Sequence, residues 1–529
     1  MSRLIVLSNR VKVPDNKPMA GGLAVALQNV LIGSSVVWMG WNGKVVENSS
    51  HDNDPTNSFS NKPTNLTGED TCITYMTTAL TTEQYKQFYC GFANNVLWPL
   101  LHERVDLISQ KSQDYAGYQE VNRLFAKQLK EIIKPEDVIW VHDYHFLSVA
   151  YHCRQLGISN RIGFFLHIPF TSLQFWKTLE QGREITHHLA HYDLVGTQTQ
   201  KDRTNCLNVL QYYLKDLFIK DHFVANTPIN VLDMKQNFFK PSLYIGTKMR
   251  VDLALKPQHS LMVDTYPIGV NVARIQEQVS QLSLEASLGS TNSSQNKDHA
   301  FQQIIAVDRI DYSKGLLKRF AAYRDFLAQN PSFQNHLQLL QVACPSRLDL
   351  PTYQNLYDHV KKMVYEINQQ KLSEDSSWQA INYKETALSH EKLMTMFRQS
   401  DVGWVNSLKD GMNLVAKEYI AAQDPDDPGV LLLSRYAGAA EQMHAAIIID
   451  PYQPKSMIEG LKSALTMPLR ERQFRYQTLL QGLQQDDLQS WQQRFLSDLY
   501  LNDLYDRKKR PIDSGSLGAS NKYSIVSRL

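Results

Sequence analysis

Gln303-Ile304-Ile305-Ala306-Val307-Asp308-Arg309-Ile310-Asp311-Tyr312-Ser313-Lys314-Gly315 changes character part-way along. Gln303 to Val307 is a short, mostly apolar run with β-branched side chains, which reads as a buried strand. Asp308 to Gly315 reads as a loop between that strand and a helix. The strand pattern recurs at Leu4–Leu7, Val138–Val141, Ile162–Leu166, Leu337–Val342, Asp401–Val405, Val430–Leu433 and Ile447–Ile449. Stretches with helical spacing, such as Leu23, Leu27, Val30 and Leu31, lie between many of these runs. Such alternation predicts an α/β fold built on parallel sheets.

Open parallel sheets bind ligands beyond the carboxyl ends of their strands. Polar residues suited to chemistry fall at those places in this chain. Asp143 follows Val-Ile-Trp-Val-His, and His167 ends Gly-Phe-Phe-Leu. Arg309 and Lys314 follow Ile-Ile-Ala-Val-Asp, Arg347 follows a strand ending Gln-Val-Ala, and Asp410 follows Gly-Trp-Val-Asn-Ser-Leu-Lys. Their spread over both halves of the chain predicts a cleft between two facing sheets. Arg309 offers a planar fork and Lys314 a point charge, so one short loop can clamp a diphosphate from two directions.

Two further segments fit phosphate and sugar. Asn9-Arg10 followed by Gly21-Gly22-Leu23 reads as strand, loop and helix start, where free backbone N–H groups suit a phosphate. Asp410-Gly411-Met412-Asn413-Leu414 reads as a helix entry with outward amides, Asn and Asp being able to cap. Glu418 then falls about two turns on along the same face, within reach of a ribose diol. His142-Asp143-Tyr144-His145 lacks a matching ligand set, and Asp424-Pro425-Asp426 is a proline turn, so neither reads as a metal site. Trp41, Tyr89 and Trp98 are aromatics in loop-like settings that could line a sugar pocket.

Bulk properties narrow the class. The chain has 529 residues, 43% hydrophobic and 20% charged, with a formal net charge of +2. That size predicts two lobes, and that balance calls for neither a nucleic-acid nor a membrane partner. The scattered Cys72, Cys90, Cys153, Cys206 and Cys344 argue against a disulfide framework or a zinc site. No stretch has the length of a signal core or membrane span, which makes the cytoplasm the expected location. Polar stretches at 47–71 and 283–298 read as surface insertions. A lobe boundary is expected near Tyr266-Pro267-Ile268-Gly269, and two helices near Leu469–Gln484 and Leu488–Leu504 precede a polar tail.

Taken together, Ser8-Asn9-Arg10, Gly21-Gly22-Leu23-Ala24, Trp41 in Gly-Trp-Asn-Gly, Asn95 to Pro99, His142 to His145, Phe165 to Phe170, Asp308 to Gly315 and Asp410 to Glu418 form a specific signature. By these motifs the chain resembles the trehalose-6-phosphate synthases, retaining glucosyltransferases of GT-B architecture, over nearly its full length. The resemblance implies two Rossmann-like lobes facing a central cleft: an acceptor-binding lobe at 1–266 and a nucleotide-sugar lobe at 267–484. A C-terminal helix at 485–507 would cross back to the first lobe, with a polar tail at 508–529. It implies transfer of glucose from UDP-glucose to glucose 6-phosphate, without metal or cofactor. Catalysis would fall to Asp143, His167, Arg309, Lys314 and Asp410. The donor would meet Gly22, His167, Arg309, Lys314, Asp410, Gly411, Met412, Asn413, Leu414 and Glu418. The acceptor would meet Arg10, Trp41, Tyr89, Trp98, Asp143 and Arg347. A homo-oligomer, tetrameric in the family, and a separate trehalose-6-phosphate phosphatase are the implied partners.

The residues themselves leave UDP, ADP and GDP open, because the base is read mostly by backbone groups. A related glucoside synthase, such as one making glucosylglycerol phosphate, and a non-catalytic sugar-phosphate sensor are the rival readings. Retention of Arg309, Lys314, Asp410 and Glu418 speaks against the sensor. Two positions depart from the family pattern: Thr171 to Trp176 replaces the usual Pro and small residues, and Lys409 stands where Arg is usual.

Overall fold

The computed structural model describes residues 3–11, 13, 36–47, 73–219, 247–289, 301–369 and 378–507. The first sheet comprises β1 (Leu4–Arg10), β2 (Val36–Val46), β3 (Ile73–Thr81), β4 (Val138–His142), β5 (Ile162–Phe165), β6 (Leu194–Thr197), β7 (Thr247–Leu253) and β8 (Lys256–Thr265). The second comprises β9 (Gln302–Arg309), β10 (Leu337–Cys344), β11 (Ile381–Lys384), β12 (Val402–Val405), β13 (Val430–Ser434) and β14 (Ile447–Ile449). Central strands such as β4 and β13 are buried at every position, as expected of parallel strands covered by helices on both faces.

The first sheet runs β3-β2-β1-β4-β5-β6-β8-β7 and the second β11-β10-β9-β12-β13-β14. Counted from its own first strand, each contains the order 3-2-1-4-5-6 of a doubly wound dinucleotide fold. Each therefore has a switch point where the winding reverses, between β1 and β4 and between β9 and β12. This is the GT-B architecture that the family resemblance implies, on the α/β class that the strand–helix pattern predicts. One departure is β7, which pairs antiparallel to β8 through a tight turn, so the first sheet is mixed rather than wholly parallel.

The chain passes between the sheets twice. Residues 266–271 lead from β8 to the helix Val272–Gly289, and the helix Leu488–Arg507 returns to the first sheet. There Phe495 stacks on Trp140 at 5.1 Å and meets Phe165 edge-on at 5.9 Å. Arg161 donates to the carbonyls of Leu499 and Tyr500 at 2.7 and 2.6 Å. Gly163 and Gly196 make this approach feasible: a Cβ on either would lie 2.8 Å from the Phe495 ring.

Two expectations about local structure change. The helix beginning at Val272 continues to Gly289, so the expected insertion at 283–298 starts as helix, and 290–298 lies outside the described residues. Of the stretch 47–71, only Glu47 is described. Trp41, Tyr89 and Trp98 are not in loops. They occupy β2, a wide π-helix Tyr85–Leu97 and the short helix Trp98–Leu101. A π-helix has weak sequence signals and recurs at functional sites, which explains why it was not read from spacing.

Candidate active site

The two switch points face one another. At the first, Arg10 ends β1 and Asp143 follows β4. At the second, Arg309 ends β9, a strand residue rather than part of the loop that spacing suggested, and the Ser407–Asn413 segment follows β12.

In the second lobe, Lys314 lies in a 3-10 turn ending at Gly315, whose φ of 68° favours glycine. A Cβ there would also meet the Asn406 carbonyl at 2.5 Å, so the Lys314 turn docks closely on the β12 loop. Lys314 Nζ pairs with Asp410 Oδ2 at 2.5 Å, and Ser407 Oγ and Asn413 Nδ2 donate to the same oxygen at 2.9 and 3.0 Å. Burial alone would raise the Asp410 pKa, but Lys314 and these donors hold it down at about 2. Among the described residues, Asp410 Oδ1 accepts only from the Gly411 amide, at 3.1 Å, and keeps capacity for a substrate hydroxyl.

Gly411 and Met412 are buried, and Asn413, at a left-handed φ of 73°, caps the helix Leu414–Ala422 by accepting from the Ala416 amide. Because this helix starts only at Leu414, Glu418 does not lie two turns along a helix shared with Asp410. It sits in the second turn, 3.6 Å from His390 Nε2. No direct contact joins it to the Asp410 group among the described residues. Gly22 lies outside the described residues.

In the first lobe, Arg10 lies 5.7 Å from the Trp41 ring and Trp41 lies 5.2 Å from Tyr89. Tyr89 leads through stacked His145, at 6.0 Å, to Tyr144 at 4.0 Å, and Tyr144 lies 5.6 Å from Trp98. The second lobe covers this aromatic chain with two guanidiniums. Arg347 stacks 3.9 Å above Trp98 and donates to Tyr353 Oη at 2.6 Å and Tyr144 Oη at 3.1 Å. Arg309 lies 5.5 Å from the same Trp98 ring with its side chain 46% exposed. Trp98 is thus shared by a residue assigned to the donor and one assigned to the acceptor.

Asp143 has φ 75° and ψ 165°, a region almost confined to glycine. Its amide bonds the Phe165 carbonyl at 2.8 Å and its carboxylate accepts from the His167 amide at 3.3 Å. Burial pushes its pKa up to about 6 against these bonds and the nearby Arg347 and Arg309. His167 Nε2 lies 3.0 Å from His142 Nδ1, and burial pushes the His167 pKa down to about 3, leaving the ring neutral at pH 7. Across the cleft, a Cβ on Gly411 would lie 2.0 Å from the His167 carbonyl, so backbone meets backbone between the lobes.

The structure adds residues that sequence reading did not assign. Tyr144 Oη donates to Asn94 Oδ1 at 2.8 Å while accepting from Arg347. Asp311, fully buried, lies 3.5 Å from Arg347 and 4.0 Å from Arg309. Tyr144 and Asp311 stand inside motifs already singled out, but only the fold reveals their partners.

Two doubly wound lobes with cations and aromatics meeting across one cleft define a GT-B glycosyltransferase. The chain belongs to glycosyltransferase family 20, whose profile matches residues 5–501. A trehalose-6-phosphate synthase from Sodalis glossinidius (strain morsitans) is 37% identical over 501 residues, covering 94% of this chain and 96% of that protein. A UDP-forming alpha,alpha-trehalose-phosphate synthase from Burkholderia xenovorans, solved in complex with glucose-6-phosphate, is similar at 34% identity and TM-score 0.77, covering 94% of this chain and all (100%) of that one. A structure described as trehalose-6-phosphate from E. coli bound with UDP-2-fluoro glucose is similar at 33% identity and TM-score 0.76, covering 94% and 99% of the two chains.

Proposed function

We propose that this chain transfers glucose from UDP-glucose to glucose 6-phosphate with retention, forming α,α-trehalose 6-phosphate. The observation that carries the reading is the meeting of two cationic groups at Trp98: Arg309 from the end of β9 and Arg347 from beyond β10. Each offers a guanidinium to a different phosphate, as a reaction between a sugar nucleotide and a sugar phosphate requires.

In this reading, Arg309 and Lys314 hold the donor diphosphate, and Asp410 keeps Lys314 aimed. As the bond to glucose breaks, negative charge grows on the leaving diphosphate, where preorganised cations act most strongly. Asp410 Oδ1, the Gly411–Leu414 backbone and His167 grip the transferring glucose. Arg347 and Arg10 take the acceptor phosphate, with Tyr89 and Trp98 as walls. Asp143 and Trp41 face the acceptor's hydroxyls, Glu418 the ribose, and Gly22 the diphosphate. No pair of carboxylates needs to flank the reacting carbon, unlike in glycosidases.

The lobes at 1–266 and 267–484 serve mainly acceptor and donor respectively, with Gly22, His167 and Arg347 reaching across that division, and the helix at 485–507 fastens the second lobe to the first. A homotetramer, a cytoplasmic location and a separate phosphatase acting on the product complete the proposal. No helix among the described residues is long and apolar enough to cross a membrane.

The test incubates purified protein with UDP-, ADP- or GDP-glucose and glucose 6-phosphate, then identifies the product by mass and anomeric NMR coupling. Release of UDP with a disaccharide phosphate whose two anomeric centres are both α is expected. A β linkage, or transfer only to some other acceptor, would sink the reading.

A further inference from the structure

His102, Glu103 and Arg104, three consecutive residues after the helix Trp98–Leu101, reach three different parts of the site. The His102 ring stacks on Trp98 with centroids 4.2 Å apart. The Glu103 carboxylate crosses the cleft to pair with Lys409 Nζ, on the residue before Asp410, and accepts from Thr171 Oγ1 at 3.4 Å. The Arg104 guanidinium lies 5.5 Å from the ring of Tyr312, in the turn that carries Lys314. All three line a cavity of about 260 Å³ between the lobes, together with Lys409 and Asp410.

Glu103 has φ 59°, a left-handed conformation that residues with a Cβ adopt rarely. The helix terminus enforces it: the Glu103 amide bonds the Leu100 carbonyl at 3.0 Å and the Arg104 amide bonds the Pro99 carbonyl at 2.8 Å, the paired bonds that close a helix through a left-handed residue. From that turn the Glu103 carboxylate reaches Lys409 across the cleft. The ion pair is only partly exposed, 14% for Lys409 and 29% for Glu103, so solvent screens it incompletely. Adjacent residues therefore face opposite ways: Lys409 is drawn to the first lobe while Asp410 holds Lys314 in the second.

We propose that Glu103 is a positioning residue whose ion pair with Lys409 holds the Asp410 loop against the first lobe and so sets Asp410 and Lys314 for the donor. The proposal rests on the donor assignment above. Its test compares Glu103→Gln, Lys409→Gln and the charge swap Glu103→Lys with Lys409→Glu. Steady-state kinetics are measured in both substrates, with UDP binding by calorimetry and thermal melting alongside.

Each single variant should lose about tenfold in kcat/KM for UDP-glucose while KM for glucose 6-phosphate moves less than about threefold. The swap should recover most of that loss. A merely structural ion pair would lower melting temperature, and the swap would restore it, without this donor bias. Single variants within about twofold of wild type, or a swap no better than either single variant, would overturn the proposal. If one single variant fails to fold, the other and the swap decide. A wild type that neither binds UDP nor forms the disaccharide phosphate overturns the donor assignment itself, a failure visible before any variant is made.

Discussion

Arg309 and Lys314 differ in how the fold holds them, and their substitutions should differ accordingly. Lys314 is locked to Asp410, whereas Arg309 rests over Trp98 with nearly half its side chain exposed. Arg309→Ala should therefore leave the fold intact by circular dichroism yet lower kcat by about a hundredfold, as removal of a charge stabiliser does. Near-normal turnover in the folded variant would refute its role. Asp143 combines two costs, a glycine-like backbone and a buried carboxylate. The strain alone amounts to about 1–3 kcal/mol. The unfolded carboxyl ionises near its usual 3.8 but the folded one near about 6, so stability falls as pH rises between these values and stays lowered above them. Asp143→Gly should therefore raise the melting temperature more at pH 7 than at pH 4, while transfer activity falls. Equal or lower stability at pH 7 would show that the conformation is not strained.

Among the elements, the helix Leu488–Arg507 brings the end of the second lobe's chain back to the first sheet. Its Trp491 and Phe495 lie against Trp140 and Phe165, on strands that end at the site. Phe495 is fully buried, so Phe495→Ala should cost about 3–5 kcal/mol in urea-induced unfolding. A loss under about 1 kcal/mol would mean that the helix is not anchored there. The sequence predicted this helix near Leu488–Leu504. Its destination was legible only through the family resemblance, because spacing reports which face is apolar and not which sheet will cover it.

At the scale of the whole molecule, the two crossings between lobes lie side by side. A Cβ on Gly269 would meet the Asp486 and Asp487 backbone within 2.3–2.6 Å. Lys417, buried in the helix that follows Asn413, donates to the Ile268 carbonyl at 2.7 Å on one crossing. It also donates to Gln442 Oε1 at 2.8 Å, and Gln442 donates to Asp486 on the other crossing. Burial lowers the Lys417 pKa to about 7, with Asp486 opposing. Below that pH both folded and unfolded chains are protonated and the fold carries the whole desolvation cost. Between about 7 and the usual 10.5 only the unfolded chain keeps the proton, so stability rises with pH. The wild type should thus gain melting temperature relative to Lys417→Met as pH rises from 7 to 10. A difference independent of pH would show that the amine is already solvated.

Read alone, the sequence determined the α/β class, the positions of β1, β4, β5, β9, β10, β12, β13 and β14, and the placing of Arg309, Lys314 and Asp410 beyond strand ends. Local composition and periodicity encode all of these within a few residues. Tertiary structure decided that Trp98 is shared by Arg309 and Arg347, that Glu418 faces His390, and that Glu103 reaches Lys409 across the cleft. Those pairings join residues far apart in the chain, and they depend on how two sheets pack rather than on any local preference of the backbone.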